Sequence, residues 1–387
     1  MSDTSWLEIN LERMGRNLAA IRQLVGVNIK VCGVVKADAY GLGAVPIARK
    51  LEADGIDMLA VYCPVQARQL VQAGVSCPLL IFMPVRQMES DDALAVTARA
   101  GKLHLTLHDL PQLEQLNQIG RALECIVPVH VHVDTGMSRM GLTASEMDAM
   151  MPRLPRYEHV QVAGLYTHFA AAENDVDFTS AQMDQFDTLL DQHGPALGDG
   201  LCVHTANTFA AHRDRRFHKS MVRVGLGLYG YGPSLMTAKP RVTTAVTVRP
   251  IVRWLSHLAH VQRYPKGATV GYNRTFVLSR DSLIGVVPTG YADGYTQALS
   301  NRSSVLIKTD AKEQGVACPL LGKVNMDQIV IDLTDAPQTA AQVGVVVELI
   351  SGDADSPCAL QKLARLADTS CYEMLCRLSS RLPRRYV

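Results

Sequence analysis

The sequence lacks any marked excess of charge. Its 387 residues carry 38 Lys+Arg against 37 Asp+Glu, a formal net charge of +1. A chain so balanced gives no electrostatic footing for nucleic acid or an anionic membrane surface. It lacks any apolar run near the ~18 residues of a membrane span. Residues 1–7 carry Asp3 and no basic region feeding an apolar stretch, so no signal peptide is expected. There is no CxxC pair: nine cysteines stand singly. They read as reduced, mostly buried small hydrophobes of a cytoplasmic protein. No internal repeat and no low-complexity tract appears. What is present is 48% hydrophobic and 19% charged residues, the usual globular composition, with material for a large core. At about 150 residues per domain, the length suggests two domains, or one large barrel with an extra module.

A first helix is easy to place. Asn10 can cap it, and Leu11, Met14, Leu18, Ile21 and Val25 follow at helical spacing. Strand candidates then recur at 29–35, 57–61, 78–83, 103–107, 125–133, 160–168, 201–205 and 221–224. The run 29–35 is apolar without clean alternation, the look of a strand buried on both faces. Helical stretches lie between, for example 64–73, 93–100, 111–119 and 180–193. Eight strands with intervening helices point to a parallel (β/α)₈ barrel over 1–240, with an open doubly wound sheet as the competing count. Near Pro240 the texture changes. Residues 241–387 read as a mainly β domain, rich in strands through 242–248 and beyond, with turns at Pro265-Lys-Gly267, Asp293-Gly294 and Ser351-Gly352. Helical spacing returns at about 360–366. The strand-like residues 5–9 are expected to pair with this second domain.

In a barrel, functional residues belong at the C-terminal ends of the strands. Lys36 follows the first strand directly. A lysine buried at a barrel mouth loses basicity and becomes a nucleophilic amine, able to condense with an aldehyde; an exposed loop lysine is the plain alternative. Arg139 follows the fifth strand and His168 ends the sixth. Asn207 and Thr208 follow the seventh. Arg223 lies on the eighth, with Gly225-Leu226-Gly227 next. A glycine turn beside a hydroxyl can cradle phosphate. A lysine for an aldehyde, a phosphate cradle, an arginine and a ring-stacking histidine together suggest pyridoxal phosphate.

The chain resembles the alanine racemases, fold-type III pyridoxal-phosphate enzymes, over essentially its full length. The matching segments are Val-Val-Lys-Ala-Asp-Ala-Tyr-Gly at 34–41, Asp-Thr-Gly-Met-Ser-Arg-Met-Gly at 134–141 and Thr-His-Phe-Ala at 167–170. Further on they are Val-Gly-Tyr at 270–272, Gly-Tyr-Ala-Asp-Gly-Tyr at 290–295, Met-Asp-Gln at 326–328, Cys-Tyr-Glu at 371–373 and Arg-Leu-Ser-Ser-Arg-Leu-Pro-Arg at 377–384. The resemblance implies interconversion of L- and D-alanine by two bases, Lys36 and Tyr272, the latter from the partner subunit of a homodimer with shared sites. It implies that Lys36 carries the cofactor, that Arg223 faces the pyridine nitrogen and that His168 packs on the ring. Tyr40, Thr208, Tyr372 and the backbone of Gly225 and Leu226 would hold the phosphate. Arg139 and the backbone of Met326 would hold the substrate carboxylate, with Tyr291 and Asp327 as supporting polar residues at the entrance. Taken alone, Tyr272 reads as a packed or interface tyrosine, Tyr291 and Tyr295 as structural aromatics, and Asp327 as a capping or turn residue.

Three positions depart from the family. A lysine, often carbamylated, commonly stands where His132 does; an imidazole cannot supply the carbamate's negative charge, so Arg139 must be braced by a bound anion or another side chain. Asn325 replaces a frequent cysteine, and an amide there could hydrogen-bond a polar substrate side chain, which raises a serine or broad-specificity racemase as the alternative. Leu42 and Thr208 stand for a frequent histidine and serine. Rival readings remain. His130, His132 and Asp134 share one strand face, and with His168 and His204 they could hold the metal of a barrel hydrolase, although no metal is expected. A non-catalytic pyridoxal-phosphate-binding barrel and a decarboxylase of the same fold type are the others.

Overall fold

The computed structural model describes residues 4–90, 92–233, 246–309 and 312–387. The boundary expected at 240 and the stretch 242–245 lie outside the described residues, and residues 246–250 carry no strand. Two compact units emerge, one of Gly15–Ala39 and Ala44–Val248, the other of residues up to Met14, Tyr40–Gly43 and Arg249–Val387.

The first unit is a barrel of eight parallel strands: β2 (Lys30–Val34), β3 (Met58–Val61), β4 (Leu79–Ile81), β5 (Leu103–Leu107), β6 (Val127–His132), β7 (Val160–Tyr166), β8 (Cys202–His204) and β9 (Met221–Val224). Hydrogen bonding runs in the order β8-β7-β6-β5-β4-β3-β2-β9. The ring closes through the Ser220 amide to the Val203 carbonyl (3.0 Å) and the Arg223 amide to the Ala206 carbonyl (2.9 Å). Each expected strand is present, shortened by a residue or two at several ends. All four residues of β3 and all six of β6 are buried, as strands covered on both faces must be. The helices lie outside. The helix Gln112–Leu123 buries Leu113, Leu116, Ile119, Gly120 and Leu123, one stripe at helical spacing.

The barrel interior is unusual. Such interiors are ordinarily filled by layers of branched aliphatic side chains. Here His104, Thr106 and His108 from β5 and its end, His130 and His132 from β6, Tyr166, His204 and Arg223 gather inside.

The second unit is a nine-stranded sheet of β11 (His260–Tyr264), β14 (Ser282–Val287), β17 (Ile329–Asp332), β16 (Lys312–Leu321), β15 (Ser304–Thr309), β18 (Val346–Ile350), β10 (Val252–His257), β1 (Ser5–Ile9) and β19 (Arg384–Tyr386), hydrogen-bonded in that order. β1 runs antiparallel to β10 and parallel to β19. Ser5 ties the strands together: its Oγ donates to the Leu255 carbonyl (3.1 Å) and accepts from Trp254 Nε1 (2.7 Å). A small hairpin of β12 (Thr269–Val270) and β13 (Phe276–Val277) stands apart from the sheet. Asn10 Oδ1 caps the first helix, accepting from the Arg13 amide at 2.7 Å. Among the described residues no helix is long and apolar enough to cross a membrane.

Candidate active site

Lys36 leaves the end of β2 into a left-handed turn. Ala37, Asp38, Ala39 and Tyr40 have φ of 54°, 53°, 52° and 59°, and Gly41 has 80°. L-residues avoid this region at a cost of about 1–2 kcal/mol each, so the turn must be held by its surroundings. The Ala39 amide bonds the Val35 carbonyl (3.0 Å). Asp38 Oδ1 accepts from the Ala44 amide (2.7 Å). Arg384 donates to the Gly41 carbonyl through Nη2 (2.9 Å) and Nε (3.2 Å), and Tyr386 donates to Leu42 O (3.1 Å). A side chain at Gly41 would meet the Leu375 carbonyl at 2.6 Å. The C-terminal motif ending at Arg384 thus secures the backbone five residues beyond the lysine.

Across the barrel mouth, Arg223 is buried and its guanidinium is satisfied by neutral acceptors. Nη1 donates to His204 Nδ1 and to the His204 carbonyl, each at 2.8 Å. Nη2 donates to the carbonyls of Thr167 (2.9 Å) and Thr205 (3.1 Å). Its charge also lies over the Tyr166 ring, 5.1 Å from the centroid. His168, just beyond β7, is pushed down to about 3 by burial and then by the charges of Arg223, Arg139 and Lys36. It is therefore a neutral ring among three cations. The loops after β8 and β9 meet where the Gly227 amide donates to Thr208 Oγ1 (3.2 Å). A Cβ at Gly227 would crowd Thr208 and Val224 at 3.0 Å. Gly225 and Leu226 open the same turn. Asn207 is spent as a helix cap, its Oδ1 accepting from the Ala210 amide (3.0 Å).

His132 is held by a partner that sequence reading missed. His108 Nε2 lies 2.6 Å from the Phe82 carbonyl, so that nitrogen carries the proton. His108 Nδ1 must then accept from His132 Nδ1 at 3.1 Å. This leaves His132 Nε2 as a lone pair, buried with no partner. The ring stacks flat on Tyr166 (4.4 Å, 2°), and burial holds it well below the ordinary histidine value. Position 132 thus offers a neutral acceptor, and no negative charge. Arg139 is exposed at the end of a loop that Asp134 Oδ1 organises by accepting from the amides of Gly136, Met137 and Ser138. The signal for His104 and His108 was there in the period-two spacing of β5.

The second unit gathers the remaining candidates. Tyr40 packs against Tyr372 with ring centroids 5.8 Å apart, and burial raises the Tyr40 phenol far above its usual value. Tyr272, on the turn between β12 and β13, is 69% exposed. The neighbouring loops are laced together: the Tyr291 amide bonds the Asn325 carbonyl and the Ala292 amide bonds the Met326 carbonyl, both at 3.0 Å. Gly290 permits this, because a Cβ there would strike both carbonyls. Gly271 lies against the backbone of Lys323, which brings Tyr272, Asn325, Met326 and Tyr291 onto neighbouring loops. Asp327 pairs with Arg381 at 2.9 Å. Asn325 Oδ1 is buried without a partner.

The metal alternative finds no support in these positions. His130 uses both ring nitrogens on other rings, His104 (3.0 Å) and His204 (2.7 Å), and His132 belongs to a separate pair. Among the described residues no group of His, Cys, Asp or Glu is arranged to hold a metal. The donor set suits an anionic aromatic aldehyde instead. It comprises a lysine at a strand end, a buried guanidinium with no acidic partner among the described residues, a neutral imidazole, and a glycine turn against a hydroxyl.

Comparison with known proteins agrees. The model of the alanine racemase N-terminal domain matches residues 9–233, and that of the C-terminal domain matches 251–386. The alanine racemase of Halothermothrix orenii is 33% identical over 99% of this chain and 96% of its own. The crystal structure of alanine racemase from a D-cycloserine-producing Streptomyces lavendulae superposes with a TM-score of 0.88 at 25% identity, covering 100% of this chain and 98% of that one. That of Bartonella henselae, with covalently bound pyridoxal phosphate, gives 0.82 at 25% identity over the whole of both chains. With both domain models matched in order and relatives aligned from end to end, this chain belongs to the alanine racemase family.

Proposed function

We propose that the chain interconverts L- and D-alanine with pyridoxal phosphate, using Lys36 and Tyr272 of the partner subunit as its two bases. The observation that carries the reading is Arg223: a buried cation at the barrel mouth, bonded to neutral groups and within charge reach of His168, which the charge of Lys36 also reaches. Lys36 would carry the cofactor, His168 would lie against its ring, and Arg223 would face its pyridine nitrogen. The turn at Gly225 and Leu226 with Thr208, together with Tyr40 and Tyr372, would hold its phosphate. Once bound, the cofactor supplies an electron sink that acidifies the Cα–H of an amino acid.

The chain's own groups do the rest. Racemisation needs one group to take the α-proton from one face and another to return a proton to the opposite face. The Lys36 amine and the hydroxyl of Tyr272 of the partner subunit would exchange these parts with the direction of reaction. Arg223 does not surrender its proton, so the ring nitrogen would stay unprotonated and the sink weak, which suppresses side reactions. Arg139 and the backbone of Met326 of the partner subunit would hold the substrate carboxylate, with Tyr291 and Asp327 supporting the entrance. A homodimer is supported by the exposure of Tyr272 (69%) and Met326 (54%), side chains that an isolated subunit would leave in water. The nine cysteines form no disulfide, as suits a cytoplasmic enzyme. Arg139 would be braced by the neutral lone pair of His132 rather than by a carbamate.

Serine is a second candidate substrate, favoured by the unpartnered Asn325 Oδ1, which could accept from a substrate hydroxyl. The test is chiral chromatography with L-alanine and L-serine, beside borohydride trapping of the cofactor mapped by peptide mass spectrometry. D-Alanine formation with the label on Lys36 is expected, and Tyr272→Phe is expected to lower turnover by at least about a hundredfold, as loss of an acid–base group does. Trapping without racemisation of either amino acid would overturn the reading. An alanine-to-serine ratio unchanged in Asn325→Cys would remove that residue from the argument.

A further inference from the structure

The barrel holds a file of three imidazoles ending on Arg223. His204 Nδ1 is 2.8 Å from Arg223 Nη1, His204 Nε2 is 2.7 Å from His130 Nδ1, and His130 Nε2 is 3.0 Å from His104 Nδ1. His104 and His130 line a cleft of about 650 Å³ at the opposite, N-terminal end of the barrel, together with Lys30, Asp57, Gln161 and Cys202. The file therefore runs the depth of the barrel, from the mouth to the far face.

Its proton positions follow from one fact. Arginine only donates. His204 Nδ1 must then accept, so a neutral His204 carries its proton on Nε2 and donates to His130 Nδ1. His130 in turn carries its proton on Nε2 and donates to His104 Nδ1, which leaves the His104 proton on Nε2. The rings are neutral, because burial holds His104 at about 4 and His130 and His204 well below the ordinary value. Reversing any one ring would set two donors or two lone pairs face to face, a buried mismatch that the next ring could relieve only by reversing too. A reversal at His104 would thus travel to His204 and turn its Nδ1–H against the Arg223 N–H.

The surrounding strands are built for this file. The β6–β7 register slips between Val129 and His130, and Gly164 on β7 lies so close that any side chain would overlap the His130 ring. Tyr166 stacks on His204 (4.7 Å, 9°). We propose that His104, His130 and His204 are positioning residues: a one-way hydrogen-bond relay, anchored at the far end of the barrel, that fixes the orientation of Arg223 at the mouth.

The consequence for turnover rests on the function proposed above; the proton order does not. The experiment uses holoenzyme labelled with ¹⁵N-histidine and reads both nitrogens of each ring by long-range ¹⁵N–¹H correlation. All three rings are expected to show an unprotonated Nδ1. A proton on Nδ1 of any of the three in the unaltered protein would overturn the relay, with no variant required. Next, His104→Leu removes the terminal acceptor, and His104→Asn returns an oxygen to the place of Nδ1. In His104→Leu the His204 Nδ1 signal is expected to move toward the protonated position. The kcat for alanine should fall about tenfold, the low end for losing an outer-shell partner, with KM within about twofold. His104→Asn should restore both readings. An unmoved His204 signal in His104→Leu would refute transmission along the file. If the unaltered enzyme failed to racemise alanine while its rings kept this order, the proposed function would fall and the relay would stand.

Discussion

The neutral imidazoles inside the barrel make its stability steeply dependent on acid. Burial, acting first in each case, depresses His104 to about 4, His168 to about 3, and His130, His132 and His204 well below the ordinary histidine value. In the unfolded chain each would titrate near 6.5. Below that pH the unfolded chain binds a proton at each site and the native chain does not. A group whose folded pKa is depressed by loss of its charged form stabilises the native state at high pH and loses that contribution as pH falls. The slope is about 1.36 kcal/mol per pH unit per site once the unfolded form is fully protonated, so five sites give about 7 kcal/mol per unit. A net stability of about 5–15 kcal/mol would be exhausted within one to two units below about pH 6. Urea unfolding at fixed, saturating cofactor between pH 8 and 5 is the assay. The midpoint should be nearly flat above pH 7.5 and collapse by about pH 5. Calorimetry in buffers of different ionisation heat should count at least about five protons taken up on unfolding at pH 5.5, since burial depresses His108 as well, and His104→Asn should lower that count by about one. A stability that stays level from pH 7 to 5, or an uptake of about one proton, would refute the assignment of neutral, buried rings.

Two substitutions test the turn after Lys36. Ala37 is exposed with φ 54°, so Ala37→Gly removes a left-handed cost of about 1–2 kcal/mol and adds about 0.5–1 kcal/mol of chain entropy. A net gain of roughly 0.5–1 kcal/mol in urea unfolding is expected, opposite to the loss this change causes in a right-handed helix; a loss would deny the left-handed turn. At Gly43, φ is 95° and a Cβ would collide with the Tyr386 hydroxyl. Gly43→Ala should cost about 2 kcal/mol or more. Tyr386→Phe in the same chain should recover part of that loss in a double-mutant cycle; strictly additive effects would show that the collision is not the cause.

Barrel strands such as 58–61 and 79–81 were legible because a doubly buried strand leaves an uninterrupted apolar run bounded by helices, whereas 103–107 and 221–224 carry polar residues within the run and are still present end to end. The order of the chemical residues along the chain was legible for the same reason, since strand ends are the mouth of any such barrel. The turn at Ala37–Gly41 was not. Ala-Asp-Ala-Tyr carries no local signal for positive φ, and the groups that hold its far end, Leu375, Arg384 and Tyr386, stand more than three hundred residues away. The histidines were visible but misgrouped. His130 and His132 share a strand face, which suggested one metal site, whereas register delivers them to different partners: His130 to His104 and His204, His132 to His108. Alternation shows which residues share a face. It does not show which face of a strand buried on both sides turns inward.

The choice of imidazole as the partner of Arg223 has a physical reason. A buried guanidinium must have its donors satisfied. A carboxylate would do so most strongly, by a bidentate pair, but it would also cancel the charge and occupy the donors on one edge. Carbonyls and a neutral imidazole satisfy the same N–H groups and leave the positive charge uncompensated at the mouth, where His168 registers it. An imidazole serves only while neutral and with Nδ1 unprotonated, and a solitary buried ring would leave its Nε2–H without an acceptor. A second ring behind it, and a third behind that, supply those acceptors and hold the first ring in that tautomer. Acid sensitivity follows directly: a barrel that keeps an arginine cationic with neutral bases must hold those bases unprotonated, and it unfolds when the pH falls far enough to make that costly.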